Sequence, residues 1–346
     1  MMRTPILLLS IGFLGCGGGG GGGTQPDAEA AGPSLATPED VMTWVPFPDT
    51  TCGNGTPAGI GVRRTSLSDD LFIYFSGGGA CWDYDTCFVL EDSIHIDETY
   101  TAATLHTEAD GLVFDHTQTA NPLSKASIIY VPYCTGDLHA GTATQTYTDG
   151  TTSKTVHHTG STNATQFVAA IKAAFPNAQH LWIVGSSAGG YGVTFNFHLF
   201  TNAFPNAEAA LWQDSSPFAQ PQVAYDTWKT SWNLQFPPGC TGCDASFPEV
   251  VDVVAAAHPN ARIGLTTYDN DATIRSYFGY ASLVAASNSL LDMQYSHPNT
   301  KAFMVAGESH TMFGGIGTII GPGNVPLFGW VNQWIIGDPA WATVRP

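Results

Sequence analysis

The sequence has little charge, and positive charge is scarcest. Charged residues make up 12% of the 346, and 11 Lys and Arg face 29 Asp and Glu, a formal net charge of −18. The charged fraction is about half the usual one. No block of Lys or Arg occurs anywhere. That argues against nucleic acid or an anionic membrane surface as a partner, and it disfavours a strongly anionic polymer as substrate. Internal repeats and a second linker are also lacking. A close Cys/His pair to complement Cys240-Thr241-Gly242-Cys243 is missing as well, so a zinc site is not expected and no metal or other cofactor is called for. What is present is a hydrophobic content of 43%, which excludes a disordered tail protein. The length is enough to bury a large core.

The first segment reads as an address. Arg3 is its lone positive charge, and the apolar run Ile6 to Leu14 is too short to span a bilayer as a stable helix. Gly15-Cys16 at the end of that run resembles a bacterial lipoprotein signal, so residues 1–16 are expected to be a signal peptide and Cys16 a lipidation site. Phe13 stands where that pattern favours Leu, and an ordinary secretory signal is the alternative. Gly17 to Gly23 is an unbroken glycine run, and residues 17–40 read as a flexible tether of about 25–30 Å root-mean-square span. One folded domain is expected over 41–346. Without Cys16 six cysteines remain, an even number that suggests three disulfides in an exported chain, with Cys240–Cys243 as a local bridge. The membrane is expected as a partner only through the anchor.

Strands and helices alternate along this domain. Leu71 to Phe75 is an unbroken apolar run ending in Ser76-Gly77-Gly78-Gly79. Ser127 to Pro132, Leu181 to Val184, Ala209 to Gln213, Ala261 to Thr267 and Lys301 to Ala306 give further strands. Phe167, Val168, Ile171 and Phe175 recur at helical spacing. Strand, helix and strand in succession predict an α/β fold with a largely parallel sheet and helices on both faces.

Gly185-Ser186-Ser187-Ala188-Gly189, between a strand and a helix, has the G-x-S-x-G pattern of a nucleophile elbow. Such a turn lifts the Ser187 hydroxyl to the carboxyl end of the sheet, above a helix N-terminus that favours negative charge. The glycine loop at 77–79 ends a strand, so Gly78 and Gly79, together with the Ala188 N–H, are the candidate oxyanion donors. The base follows the nucleophile in this chain order. Seven of the eleven histidines precede Ser187, and His310 alone follows the last strand. Three acids lie at or past strand ends: Asp214, Asp269 and Asp271. Asp269, two residues beyond its strand, is the expected triad acid, and Asp271 is expected to cap the following helix.

These motifs together resemble the pectin acetylesterase and Notum family of carboxylesterases. The resemblance rests on Cys52-Gly53-Asn54-Gly55-Thr56-Pro57-Ala58-Gly59, on Gly77 to Cys81 with Cys87, and on Val131 to Cys134 with Gly136-Asp137. It continues through Gly185 to Gly190, Asp214-Ser215-Ser216, Tyr268-Asp269 and Ser309-His310. Ala80 departs from it, standing where plant members carry Trp. The resemblance implies an α/β-hydrolase fold and removal of short acyl groups, acetyl foremost, from an ester-linked small molecule or polysaccharide. Trp82, Trp228 and Trp232 are candidates for a sugar-stacking rim, with ordinary core packing as the alternative. A lipase-like or protein-deacylating hydrolase shares the same triad, and a binding module without catalysis shares the same fold.

Overall fold

The computed structural model describes residues 32–109, 111, 113–117 and 121–346. Cys16, the glycine run and residues 24–31 of the tether lie outside them. Packing begins before the expected start at Val41, because Leu35 is already buried in the core.

The chain opens with β1 (Thr43–Phe47), β2 (Ala58–Arg63) and β3 (Leu71–Phe75), then α1 (Tyr84–Phe88), α2 (Ala102–Glu108) and β4 (Ser127–Val131). A hairpin of β5 (Ala143–Thr148) and β6 (Ser153–His158) leads to α3 (Gly160–Ala174), β7 (His180–Ser186), α4 (Ala188–Ala203) and β8 (Glu208–Asp214). The rest comprises α5 (Tyr225–Trp232), α6 (Glu249–Ala257), β9 (Arg262–Tyr268), α7 (Ala272–Phe278), α8 (Val284–Met293), β10 (Thr300–Val305) and α9 (Leu327–Ile336).

Eight strands form one sheet in the order β1-β2-β4-β3-β7-β8-β9-β10. β2 runs antiparallel to both its neighbours, and every pairing from β4 onward is parallel. The strands alternate their side chains between two covered faces, as unbroken apolar runs require. On one face Phe75 meets Phe200 of α4, with ring centroids 6.1 Å apart. On the other, Phe72 lies 6.4 Å from Phe313, and Trp212 lies 5.9 Å from Trp334 of α9. The result is the expected α/β-hydrolase architecture. Because β3, β7, β8, β9 and β10 are parallel, the segments that follow them all emerge at one edge of the sheet. This edge holds every residue of the site.

Three disulfides join Cys52 to Cys134, Cys81 to Cys87 and Cys240 to Cys243. The first closes 82 residues and fastens the approach to β2 against the exit of β4. A loop of that length is worth about 4 kcal/mol in chain-entropy terms. The second braces the turn just after the glycine loop. The tryptophans pack as core. Trp228 and Trp232 are fully buried and stacked at 5.3 Å, and Trp82 covers Trp228 at 5.6 Å. Trp232 also donates its Nε1–H to the Cys81 carbonyl at 2.8 Å.

Candidate active site

Ser187 sits between β7 and α4 with φ 55° and ψ −125°, in backbone space that non-glycine residues rarely enter. The strain persists because the surroundings leave no alternative. A Cβ on Gly189 would lie 2.0 Å from the Phe75 carbonyl oxygen, and one on Gly77 would lie 2.8 Å from the Ser187 Cβ. Only glycine lets the glycine loop, strand and helix meet here. Ser187 makes no side-chain cap to its own helix, so its hydroxyl is left for another partner. Its neighbour Ser186 turns away and donates to Asp214 Oδ2 at 2.8 Å.

That other partner is His310. Its Nε2 lies 2.8 Å from Ser187 Oγ, and its Nδ1 lies 2.7 Å from Asp271 Oδ2. The sequence expectation of Asp269 as the acid is therefore corrected: the carboxylate on His310 belongs to Asp271. Asp271 does cap α7, as expected, but with its other oxygen. Oδ1 accepts from the Thr273 and Ile274 N–H groups at 3.0 and 3.1 Å. The cap fixes the plane of the carboxylate and aims Oδ2 at the imidazole. Asp271 is fully buried, while the His310 side chain keeps 23% exposure. Asp269 instead accepts from the Gly307 N–H with Oδ1, at 2.9 Å, and so fastens the start of the His310 loop to the end of β9.

Asp214 does not reach the imidazole either. It lies fully buried and accepts four hydrogen bonds, from Thr266 Oγ1, Ser186 Oγ and the Met312 and Phe313 N–H groups, at 2.8–3.0 Å. Burial pushes its carboxyl above the ordinary carboxylate range, against those four bonds, which favour the anion. Its carbonyl accepts the Ser187 N–H at 2.7 Å, and Ser215 Oγ accepts the Thr311 N–H at 2.9 Å. The end of β8 thus ties the elbow and the histidine loop to each other. Sequence reasoning weighed Asp214 and missed this clamp. Its one legible signal was the polar triplet Asp214-Ser215-Ser216 following the apolar run Ala209 to Trp212.

The site opens into a cavity of about 640 Å³ lined by Gly77, Gly78, Gly79, Ser187 and His310 among others. Among the described residues, no protein acceptor pairs with the Gly78 or Gly79 N–H. Both amides are free for a ligand oxygen. Ala188 is the first residue of α4, and the Cβ position of Gly77 lies 3.2 Å from its nitrogen, so the glycine loop and the helix N-terminus converge beside Ser187. Tyr277 braces this wall by donating to the Asp92 carbonyl, which also accepts the Ala80 N–H at 3.0 Å.

A strained serine turn of this kind, on this sheet, is the architecture of the α/β hydrolases. Within that class the chain belongs to the pectinacetylesterase family, which it matches over residues 42–233. The matched stretch carries the glycine loop and the elbow and ends before Asp271 and His310. Among curated proteins, the palmitoleoyl-protein carboxylesterase notum1' of Xenopus laevis is 25% identical over 174 residues, covering 49% of this chain and 35% of that protein. The palmitoleoyl-protein carboxylesterase notum2 of Xenopus laevis is 28% identical over 148 residues, 42% of this chain and 29% of that one. The palmitoleoyl-protein carboxylesterase NOTUM of Drosophila melanogaster is 24% identical over 211 residues, 55% of this chain and 31% of that one. The alignments thus span about a third of the length of these relatives.

Proposed function

We propose that the protein is an exported serine carboxylesterase that removes short acyl groups, acetyl foremost, from an ester-linked polysaccharide. The observation that carries this reading is the continuous chain from Ser187 Oγ through His310 to the buried Asp271. Asp271 holds the Nδ1–H tautomer, which leaves Nε2 to take the Ser187 proton as the hydroxyl attacks the ester carbonyl. The Gly78, Gly79 and Ala188 amides receive the oxyanion, at about 3–4 kcal/mol of transition-state stabilisation per donor. His310 then protonates the departing alcohol. Water, activated by the same imidazole, releases the acid from Ser187.

Acetate release from acetylated xylan, pectin and mannan tests this reading, beside nitrophenyl esters of rising chain length. Activity should fall as the acyl chain lengthens and vanish in Ser187→Ala. A second reading, removal of a long acyl group from a protein, is favoured by the names of the curated relatives. It predicts the opposite dependence on chain length. The three disulfides support export. Among the described residues no helix is long and apolar enough to cross a membrane. For the lipid anchor, full-length protein should partition into detergent, and Cys16→Ser should move to the aqueous phase. Identical partitioning of the two forms would remove the anchor.

A further inference from the structure

The charged residues in the lining of the cavity beside Ser187 are acidic. Glu91, Asp92 and Glu108 line it, and among the described residues no Lys or Arg does. The Glu91 and Asp92 side chains have no hydrogen-bond or ion-pair partner among the described residues, and Glu91 is exposed. Glu108 lies deeper and is tied to His95, Tyr100 and Tyr130 at 2.6, 2.7 and 3.0 Å. A second cavity of about 470 Å³ adjoins the first, sharing Glu91 and Ile94 with it, and adds Asp97 and Glu98. The one lysine lining it, Lys154, is matched by Asp97 at 2.6 Å. The two cavities make an extended groove whose unpaired charges are negative and stand on the segment after α1, which returns to the glycine loop through the Gly79–Ser93 bridge.

We infer that this groove selects esters of an amine-bearing, positively charged alcohol, an aminated sugar chain being the extended form that fits it. This rests on the esterase reading above and adds the charge of the leaving group. A cationic alcohol gains from Glu91 and Asp92 as it is drawn out of water, whereas a uronate-bearing chain meets like charge along the whole groove. The selectivity is local. It comes from two carboxylates in the lining of the cavity that holds Ser187, not from the −18 net charge spread over the surface.

The test compares acetate release from acetylcholine, from its neutral isostere 3,3-dimethylbutyl acetate and from 4-acetoxybutanoate, using full-length protein at low ionic strength. Expected is a kcat/KM about tenfold higher for the cationic than for the neutral ester, with the anionic ester slowest and the spread narrowing in salt. Glu91→Gln with Asp92→Asn should collapse the cation-to-neutral ratio toward one. Glu39→Gln with Asp69→Asn removes the same two charges elsewhere: Asp69 stands just before the amino end of β3, and Glu39 bridges Arg64 at the end of the antiparallel β2. That pair should leave the ratio in place. Equal rates on the three esters, or a faster anionic one, would overturn the inference. So would a cation preference that both double variants reduce alike, or that neither reduces. Absence of Ser187-dependent hydrolysis of any of the three would instead count against the esterase reading itself.

Discussion

The two halves of the site are held by different kinds of force. On the elbow side Ser187 is fixed by backbone sterics: a strand, a helix and a glycine loop approach so closely that a methyl group on Gly189 would lie 2.0 Å from a carbonyl oxygen. On the other side, His310 and Asp271 stand on loops after β10 and β9, and side-chain hydrogen bonds hold those loops. Asp214 grips Met312 and Phe313, Ser215 grips Thr311, and Asp269 grips Gly307. The steric half is rigid by exclusion and tolerates no added volume. The hydrogen-bonded half tolerates added volume better, but depends on individual acceptors. The same division should appear in variants: elbow changes should damage fold and rate together, and a change at the carboxylate that faces His310 should separate them.

The largest separation is expected at Asp271. Asp271→Asn keeps a cap acceptor for Thr273 and Ile274 but turns the group facing His310 into one that favours the wrong tautomer. In a serine protease the corresponding change costs about 10⁴ in kcat with the geometry intact. A similar loss in steady-state kcat is expected here, with the thermal midpoint close to wild type. Retained turnover in Asp271→Asn would break the assignment of the acid.

Gly189→Ala should do the reverse and lower stability and rate together. The methyl has nowhere to go except by parting β3 from α4, at a cost of about 3 kcal/mol. Denaturant midpoint and kcat should fall in parallel. A variant that lost kcat at full stability would blur the contrast between the two halves.

This division also explains what the sequence made legible. The elbow is a local steric motif, so five residues and their flanking strand and helix were enough to place Ser187. The parallel strands were readable because both faces of the sheet are covered and their runs are continuously apolar. β1 and β2 were not read: Ala58 to Arg63 alternates glycine with apolar residues, and its pairing with distant β4 has no local signature. The acid failed for a related reason. Capping and catalysis look like alternatives for Asp271 in the sequence, but a carboxylate has two oxygens and the fold uses both. Which of two aspartates two positions apart faces His310 depends on how the β9 loop bends, and that is set by contacts with Gly307 and Glu308 nearly forty residues away.

Asp214→Asn comes next in size. An amide has one acceptor oxygen where the carboxylate has two, and its NH₂ would face donors. Two of the four groups bound by Asp214 should lose their acceptor inside the core, at about 1–3 kcal/mol each. Stability should drop by about 2–6 kcal/mol, and kcat should fall through displacement of the 310–313 loop. Differential scanning calorimetry beside kinetics reads both. Full stability with an inactive enzyme would point to a direct role in proton transfer, against the structural role that its four hydrogen bonds give it.

Asp269→Asn should be the mildest, and it is the sharpest comparison because the spacing pattern alone favoured Asp269. The asparagine keeps an oxygen for the Gly307 N–H, now as a neutral acceptor in place of a charged one. Hydrogen bonds to charged groups are worth about 1.5–3 kcal/mol and neutral ones about 0.5–1.5, so the loop should loosen by about 1 kcal/mol without releasing His310. The imidazole would still be held by Asp271, so its tautomer and its 2.8 Å approach to Ser187 would survive. A loss of less than about tenfold in kcat is expected, with KM and the pH profile nearly unchanged, because 1.4 kcal/mol of ground-state loosening is the most that tenfold represents. Asp269→Asn and Asp271→Asn, purified and assayed side by side on one nitrophenyl ester, decide the matter. If the first were inactive and the second near wild type, the carboxylate that serves His310 in solution would be Asp269, and the hydrogen bond to Asp271 would be a helix cap and nothing more.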